Sequence, residues 1–299
     1  MKKTLLLCAV AALFTLAACI DKPEVGSDDP VSNDNPANAY SVSADKQVRM
    51  ADGNLQYQAS TSTWRIAPNA WDAALNDNLN ISATYDGWFD HFGWATSGYM
   101  DYFPFNTQNQ SSAYYHDGSI AGTHYDWGVH NEIVNGQAID PAGTWRTLTN
   151  NEWEYLLLHR NASTVSGTDN ARFLMATVCG QTGLLLFPDA FQYPATLATI
   201  DGSDINATIQ YELYQYNESQ WNELRQAGCV FLPAAGCHNA AGNSMVSLNY
   251  LGCYWASTYL GESELGLTAA QVWFSPYICE MGAAALQHGR SVRLAKDIQ

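Results

Sequence analysis

From Tyr40 onward the apolar positions fall mostly in short runs with a period of two, which predicts β-strands. The stretches between them are rich in Gly, Asn and Asp, which predicts loops. Residues 47–50 and 55–57 flank Ala51-Asp52-Gly53-Asn54, and because Asp-Gly tolerates the positive φ angles of a tight turn, the pattern predicts a hairpin here. Residues 64–66 predict another strand. From 67 to 143 there is little helical periodicity and much Gly, Asn, Asp and aromatic residue, a composition suited to large loops packed by their own side chains. Residues 184–187 and 230–232 are apolar runs of strand length. Near the C-terminus, residues 271–274 put Val272 and Phe274 on one face, and residues 290–294 turn Val292 and Leu294 inward.

Two segments read as helices. Thr149 followed by Glu152 is a capping box, and Trp153, Leu156 and Leu157 then share one face, which predicts a helix over residues 150–160. Ser219 is the expected cap of a second helix, with Trp221 and Leu224 on its inner face and Gly228 at its end. There is no internal repeat.

The first residues follow a different logic. Lys2 and Lys3 precede an apolar run from Leu5 to Phe14, which ends in Leu16-Ala17-Ala18-Cys19. This order resembles the signal peptide and lipobox of bacterial lipoproteins, which implies cleavage before Cys19 and acylation of that residue. Two or more acyl chains would hold the protein stably in a membrane. Residues 19–39 read as a polar, acidic tether, and the expected organisation is 1–18 signal peptide, 19–39 lipidated tether and 40–299 folded domain. Ile20 stands where an inner-membrane retention signal carries Asp, which favours the outer membrane, and the acidic tether resembles those of lipoproteins moved to the cell surface. A periplasm-facing orientation stays open.

Charge narrows the class of partner. The chain carries 13 basic and 29 acidic residues, a net charge of −16, and no lysine between Lys46 and Lys296. Binding to nucleic acid needs clustered Lys and Arg and is disfavoured. With Cys8 lost in the leader and Cys19 lipidated, the folded part holds Cys179, Cys229, Cys237, Cys253 and Cys279. Five thiols cannot all pair, and without a CxxC motif or regular spacing no zinc or other metal site is expected.

Six blocks occur in order: Gly53-Asn54-Leu55-Gln56-Tyr57, Phe92-Gly93-Trp94-Ala95-Thr96-Ser97-Gly98-Tyr99, Trp145-Arg146-Thr147-Leu148-Thr149 with Glu152-Trp153, Phe231-Leu232-Pro233-Ala234-Ala235-Gly236, Tyr254-Trp255-Ala256-Ser257-Thr258, and Gly289-Arg290-Ser291-Val292-Arg293-Leu294. Together they resemble a family of surface lipoproteins from Gram-negative gut bacteria, related to the formylglycine-generating-enzyme version of the C-type lectin fold. The resemblance covers residues 40–296. It implies an α+β, C-type-lectin-like domain with two helices against a twisted antiparallel sheet, long ordered loops, and a last strand that returns close to the first. Some members are variable proteins of diversity-generating retroelements. On that likeness Trp255, Ser257, Val272, Phe274, Val292 and Leu294 are scaffold. The solvent-facing, ligand-binding positions would be His238, Tyr250, Cys253, Tyr259, Gln271 and Trp273, with Ser275, Tyr277, Cys279, Leu286 and His288. Ordinary drift with one adventitious disulfide is the favoured account of the scattered cysteines, with targeted diversification kept open beside it.

The enzyme of this superfamily uses a copper ion held by two cysteines beside an Arg-Gly-Gly-Ser-Trp run, and that motif is missing here. No cofactor and no catalytic residue are therefore expected. Asp86, Asp90 and Asp101 beside Trp88, Trp94 and Tyr102 are the carboxylates that a glycan cleft would use, against a bland reading as turn caps in an aromatic core. His116, His124 and His130 among Asp117, Asp126 and Glu132 offer cation ligands, but in no recognised spacing. The expectation is a monomeric, non-enzymatic binding protein with an unidentified protein or glycan ligand on host, phage or neighbouring cell. A thiol oxidase or a glycan-active enzyme is the alternative.

Overall fold

Residues 47–50 do form a strand, but the partner is not the one that Asp-Gly suggested. In the computed structural model, which describes residues 35–104, 116–208, 211–239 and 244–298, β2 (Gln47–Met50) and β3 (Leu55–Gln58) belong to different sheets. The C-terminal strand intervenes: Ala51 N–H donates to the Leu294 carbonyl and Leu55 N–H to the Val292 carbonyl, both at 2.9 Å. Gly53 serves packing rather than a positive φ, because a Cβ there would lie 2.4 Å from the Ala67 carbonyl oxygen. The segment is a crossover between sheets and no hairpin.

The first sheet orders β1 (Tyr40–Ser41), β2, β17 (Leu294–Asp297) and β7 (Arg146–Thr147), so the last strand lies antiparallel beside a strand from the start of the domain. A second orders β3, β4 (Thr63–Ile66), β5 (Ile133–Asn135) and β6 (Ala138–Asp140). A third orders β10 (Gln215–Tyr216), β8 (Phe173–Val178), β9 (Gln181–Leu186) and β11 (Val230–Pro233). The longest strands form an antiparallel meander of β14 (Gly252–Ser263), β15 (Gly266–Ser275) and β16 (Ile278–Ala285), with a short ribbon of β12 (Cys237–Asn239) and β13 (Ser244–Val246) beside it. The domain is α+β and mostly sheet. Among the described residues the strands are divided among five sheets, two with a parallel pair, rather than gathered in one antiparallel sheet.

The helices are few. α1 (Trp127–His130) is a single turn within the expected loop region. The Thr149 capping box forms as expected, and α2 (Asn150–Glu154) runs directly into a π-helical turn, Tyr155–His159, which ends at Arg160 in extended conformation. The second expected helix starts earlier than Ser219. Asn217 caps α3 (Glu218–Gln226), its side chain accepting from Gln220 N–H while the Gln220 side chain accepts from Asn217 N–H, both at 3.0 Å. This reciprocal pair satisfies two orphan donors, and Ser219 is left inside the first turn. Trp221 and Leu224 face inward, and Gly228, at φ 91°, follows the end of the helix as expected.

Three apolar clusters share the interior. One joins β2, α2, β9 and β11 to the face of the meander that carries Tyr254, Val272 and Phe274. A second, dominated by Trp64, Phe92, Trp94, Trp127, Trp145 and Trp255, takes in Leu286, Val292 and Leu294. The third lies under α3. The six expected scaffold residues are all wholly buried.

Candidate functional site

Strand register decides which of the expected binding residues meet. Cys253 pairs with Trp273 and Trp273 with Glu280; Trp255 pairs with Gln271 and Gln271 with Gly282. Because side chains alternate along a strand, these positions share the face opposite Val272 and Phe274. The Trp273 ring lies against Gly282, where an added Cβ would come within 3.0 Å of it. Residues 286–291 fold back over the rest of the face. Arg290 donates to the Gln271 side-chain oxygen (2.8 Å) and to the His238 carbonyl (3.2 Å), and its Nη2 lies 3.1 Å from His288 Nδ1. His238 and Gly289 exchange two backbone hydrogen bonds, and the rings of His238 and His91 stand 6.4 Å apart around Gly289.

The result is a cluster of buried polar residues on the face that carries Trp273 rather than an open surface. Burial, reinforced by His238 and Arg290, lowers His91 to about 3. Burial and then Arg290 lower His288 to about 4. Both imidazoles are neutral at physiological pH, beside a guanidinium that is charged. Cys237 joins the cluster because a parallel bridge between Gly236 and Gly252 sets Cys237 next to Cys253.

Five of the residues expected to face solvent therefore stand corrected. His238, Cys253, Gln271 and Ser275 are each less than a tenth exposed, and Leu286 is wholly buried in the tryptophan-rich cluster. The reason is the fold-back of residues 286–291 and of the ribbon, which covers a strand face that alternation alone leaves open. Cys279 is on the other face, packed against Phe274's cluster, and burial followed by the charge of Glu280 pushes its thiol up to about 12. Tyr259, half-buried, packs on the tryptophan-rich cluster at an irregularity of the β14–β15 register. Trp273 and His288 are also half-buried.

Two expected residues are open to solvent and lie together. Tyr277, in the β15–β16 turn, is 79% exposed, Tyr250 is 41% exposed, and their ring centres are 6.5 Å apart. Both backbones are held. The Ser275 hydroxyl accepts from Tyr277 N–H, and the turn carrying Tyr250 is tied to β9 and β11 through Asn249, whose N–H donates to the Ala234 carbonyl (2.9 Å) and whose side-chain oxygen accepts from Thr182 N–H (2.6 Å).

The other chemistry-bearing groups are dispersed. Asp90 is wholly buried and accepts from Asn78 (2.8 Å) and Asn54 (3.2 Å), so it is part of the core and not the wall of a glycan cleft. Asp126 is the buried cap of α1, accepting from Gly128 N–H and Thr147 N–H. His116 stacks on Tyr125 at 3.8 Å, and His124 and His130 pack around Tyr99. Among the described residues no group of three or more His, Cys, Asp or Glu side chains is placed to hold a metal ion, and no helix is long and apolar enough to cross a membrane. Cys19 lies outside the described residues.

Sequence reasoning missed His91, Cys237 and Arg290 as members of the buried polar cluster. The available signal for Arg290 was its place at the same strand parity as the inward Val292 and Leu294, and for Cys237 its departure, with His238, from the aromatic and Arg that follow Ala-Ala-Gly in the family it resembles; His91 offered none. No protein-family model, curated protein or solved structure matches the chain.

Proposed function

We propose that this chain is a non-enzymatic binding protein, anchored through lipid on Cys19 at the outer membrane and displayed at the cell surface. Its domain is read as C-type-lectin-like, of the formylglycine-generating-enzyme type, and its ligand as a protein or glycan taken up at Tyr250 and Tyr277. The observation that carries this reading is that pair: two exposed tyrosines on independently pinned turns, with the half-buried Trp273 on the same meander. Amphipathic rings on a rigid support supply contact area at small entropic cost. The burial of Asp90 supports this reading over the glycan-active alternative. The lipobox and the six ordered blocks support the anchor and the fold type.

The test measures binding of the purified full chain to printed host and bacterial glycans and to intact gut bacterial cells. Truncating a hot-spot ring costs about 2 kcal/mol, roughly thirtyfold in affinity. Tyr250→Ala and Tyr277→Ala should each produce a loss of that order with an unchanged melting temperature. A double variant that binds as the wild type does would refute the placement of the site. Fatty-acid labelling of the wild type, absent from Cys19→Ala, tests the anchor.

A further inference from the structure

Outside the tyrosine pair, the most unusual group of side chains is the pair of thiols at the edge of the Arg290 cluster. The parallel bridge between Gly236 and Gly252 makes Cys237 and Cys253 direct neighbours on adjacent segments. Such neighbours lie about 5 Å apart between Cα atoms, inside the range a disulfide spans, and side chains at matched positions project to the same side. The neighbouring Cys253 thiol and the charge of Arg290 hold the Cys237 thiol below its ordinary value against the opposing effect of burial, while Cys237 and burial push the Cys253 thiol up. Cys229 and Cys279 lie in separate core clusters.

We propose that Cys237 and Cys253 are a redox modification site that closes to an intramolecular disulfide by exchange with an external disulfide, small-molecule or protein. The Cys237 thiolate attacks one sulfur of the oxidant, breaking its S–S bond and releasing one thiolate. Cys253 then loses its proton to solvent and attacks the Cys237 sulfur, releasing the second thiolate. The two electrons leave with the oxidant, which ends as two thiols, and the protons shed by the protein are those it takes up. An attacking thiol with a lowered pKa beside a resolving thiol is what this sequence of steps requires.

Both cysteines are nearly buried, so the exchange goes through local opening. That opening has to release the backbone pair between His238 and Gly289, which ties the β12–β13 ribbon to residues 286–291. Closure ties the start of that ribbon to β14 and makes a covalent ring of the segment that carries Tyr250. The proposal does not depend on the binding reading: it stands on the placement of two thiols.

The experiment equilibrates the full chain with oxidised or with reduced glutathione, quenches in acid, alkylates under denaturing conditions and maps peptides without reduction. The expected result with oxidised glutathione is a cross-linked peptide joining Cys237 to Cys253, with both protected from alkylation and both alkylated after reduction. The oxidised form should also melt several degrees higher than the reduced form, a difference absent from Cys237→Ser and Cys253→Ser. Full alkylation of both thiols after equilibration with the oxidant would overturn the proposal. So would a cross-link from either one to another cysteine, or a stable glutathione adduct on Cys237 with Cys253 still alkylated. The mapping uses the wild-type chain and stands even where a serine variant fails to fold.

Discussion

Replacing Arg293 tests whether the crossover between the first two sheets is held by one buried cation. Its side chain is wholly buried, and Nη1 donates to the Ala51 carbonyl (2.8 Å) while Nη2 donates to the Asn54 side-chain oxygen (2.9 Å) and the Phe231 carbonyl (2.8 Å). One guanidinium thus joins the segment after β2, the start of β3 and β11. Arg293→Met leaves three acceptors without this donor, each worth about 1–3 kcal/mol when buried and unsatisfied. Removing the charge also returns the several kcal/mol that its burial costs. The net expectation is a destabilisation of about 3–5 kcal/mol, a large part of the 5–15 kcal/mol typical of a domain. Arg293→Lys should cost nearly as much, because one ammonium on a flexible stem cannot reproduce the planar fork. Arg225→Met is the control: Arg225 also reaches the crossover, pairing with Asp52 at 2.6 Å, but both side chains are a fifth or more exposed and the loss should stay under about 1 kcal/mol. Urea titration followed by tryptophan fluorescence gives the three values. An Arg293→Met protein within about 1 kcal/mol of the wild type would show that the backbone bonds from residues 292–294 hold the crossover unaided.

The remaining predictions concern the core, a helix cap and one buried acid. Phe274→Ala should cost about 3–5 kcal/mol, because the ring is wholly buried against Gly252 and Tyr254, whereas Tyr277→Ala should leave the melting temperature unchanged; equal costs would mean that the strand register is wrong. Asn217→Ala should lower stability by about 1 kcal/mol and Ser219→Ala by almost nothing, and the reverse order in thermal melts would return the cap to Ser219. Burial raises Asp126 to about 6, against hydrogen bonds that favour the carboxylate. The folded state therefore holds the proton to higher pH than the unfolded state, and stability should fall by about 3 kcal/mol as pH rises from roughly 4 to above 6. A urea series across that range on the wild type and on Asp126→Asn isolates the contribution; a slope that persists unchanged in the variant belongs to another group.

Local signals were legible where a few neighbouring residues suffice to satisfy them. The Thr149 capping box, the inner face of α3 and the inward Val272 and Phe274 depend on contacts within a turn or on strict alternation, and they stand as the sequence predicts. What failed depends on partners far along the chain. Asp52-Gly53 has the composition of a hairpin turn, yet a strand more than two hundred residues later takes the place between β2 and β3, and no local rule competes with that pairing. The start of α3 failed for a nearer reason, since Asn217 and Gln220 cap each other and so outcompete Ser219. The candidate site was legible to the level of its strand, because Tyr250 and Tyr277 follow from exposed turns. The buried polar cluster was not: it is made by residues 286–291 lying over a face that alternation marks as free.

That covering has a consequence for the retroelement reading. Variation at a position is tolerated when the side chain neither fills a cavity nor satisfies a buried partner. Tyr277 meets both conditions, and Tyr250 is open enough to do so. Gln271 does not, since its side-chain oxygen accepts from Arg290 and its amide donates to the Ala283 carbonyl at 3.2 Å; nor does Leu286, whose truncation would leave a hole costing about 2–5 kcal/mol. A library randomised at all eleven positions should therefore return folded members that vary freely at 250 and 277 and keep Gln271 and Leu286. Trp273 and His288, half-buried and close to Gly282 and Arg290, should show intermediate tolerance. Sorting displayed cells with a conformation-sensitive protease and sequencing the survivors reads out each position. If survivors vary at 271 and 286 as freely as at 277, the face that carries Trp273 is open in solution and its covering by residues 286–291 is not the resting form.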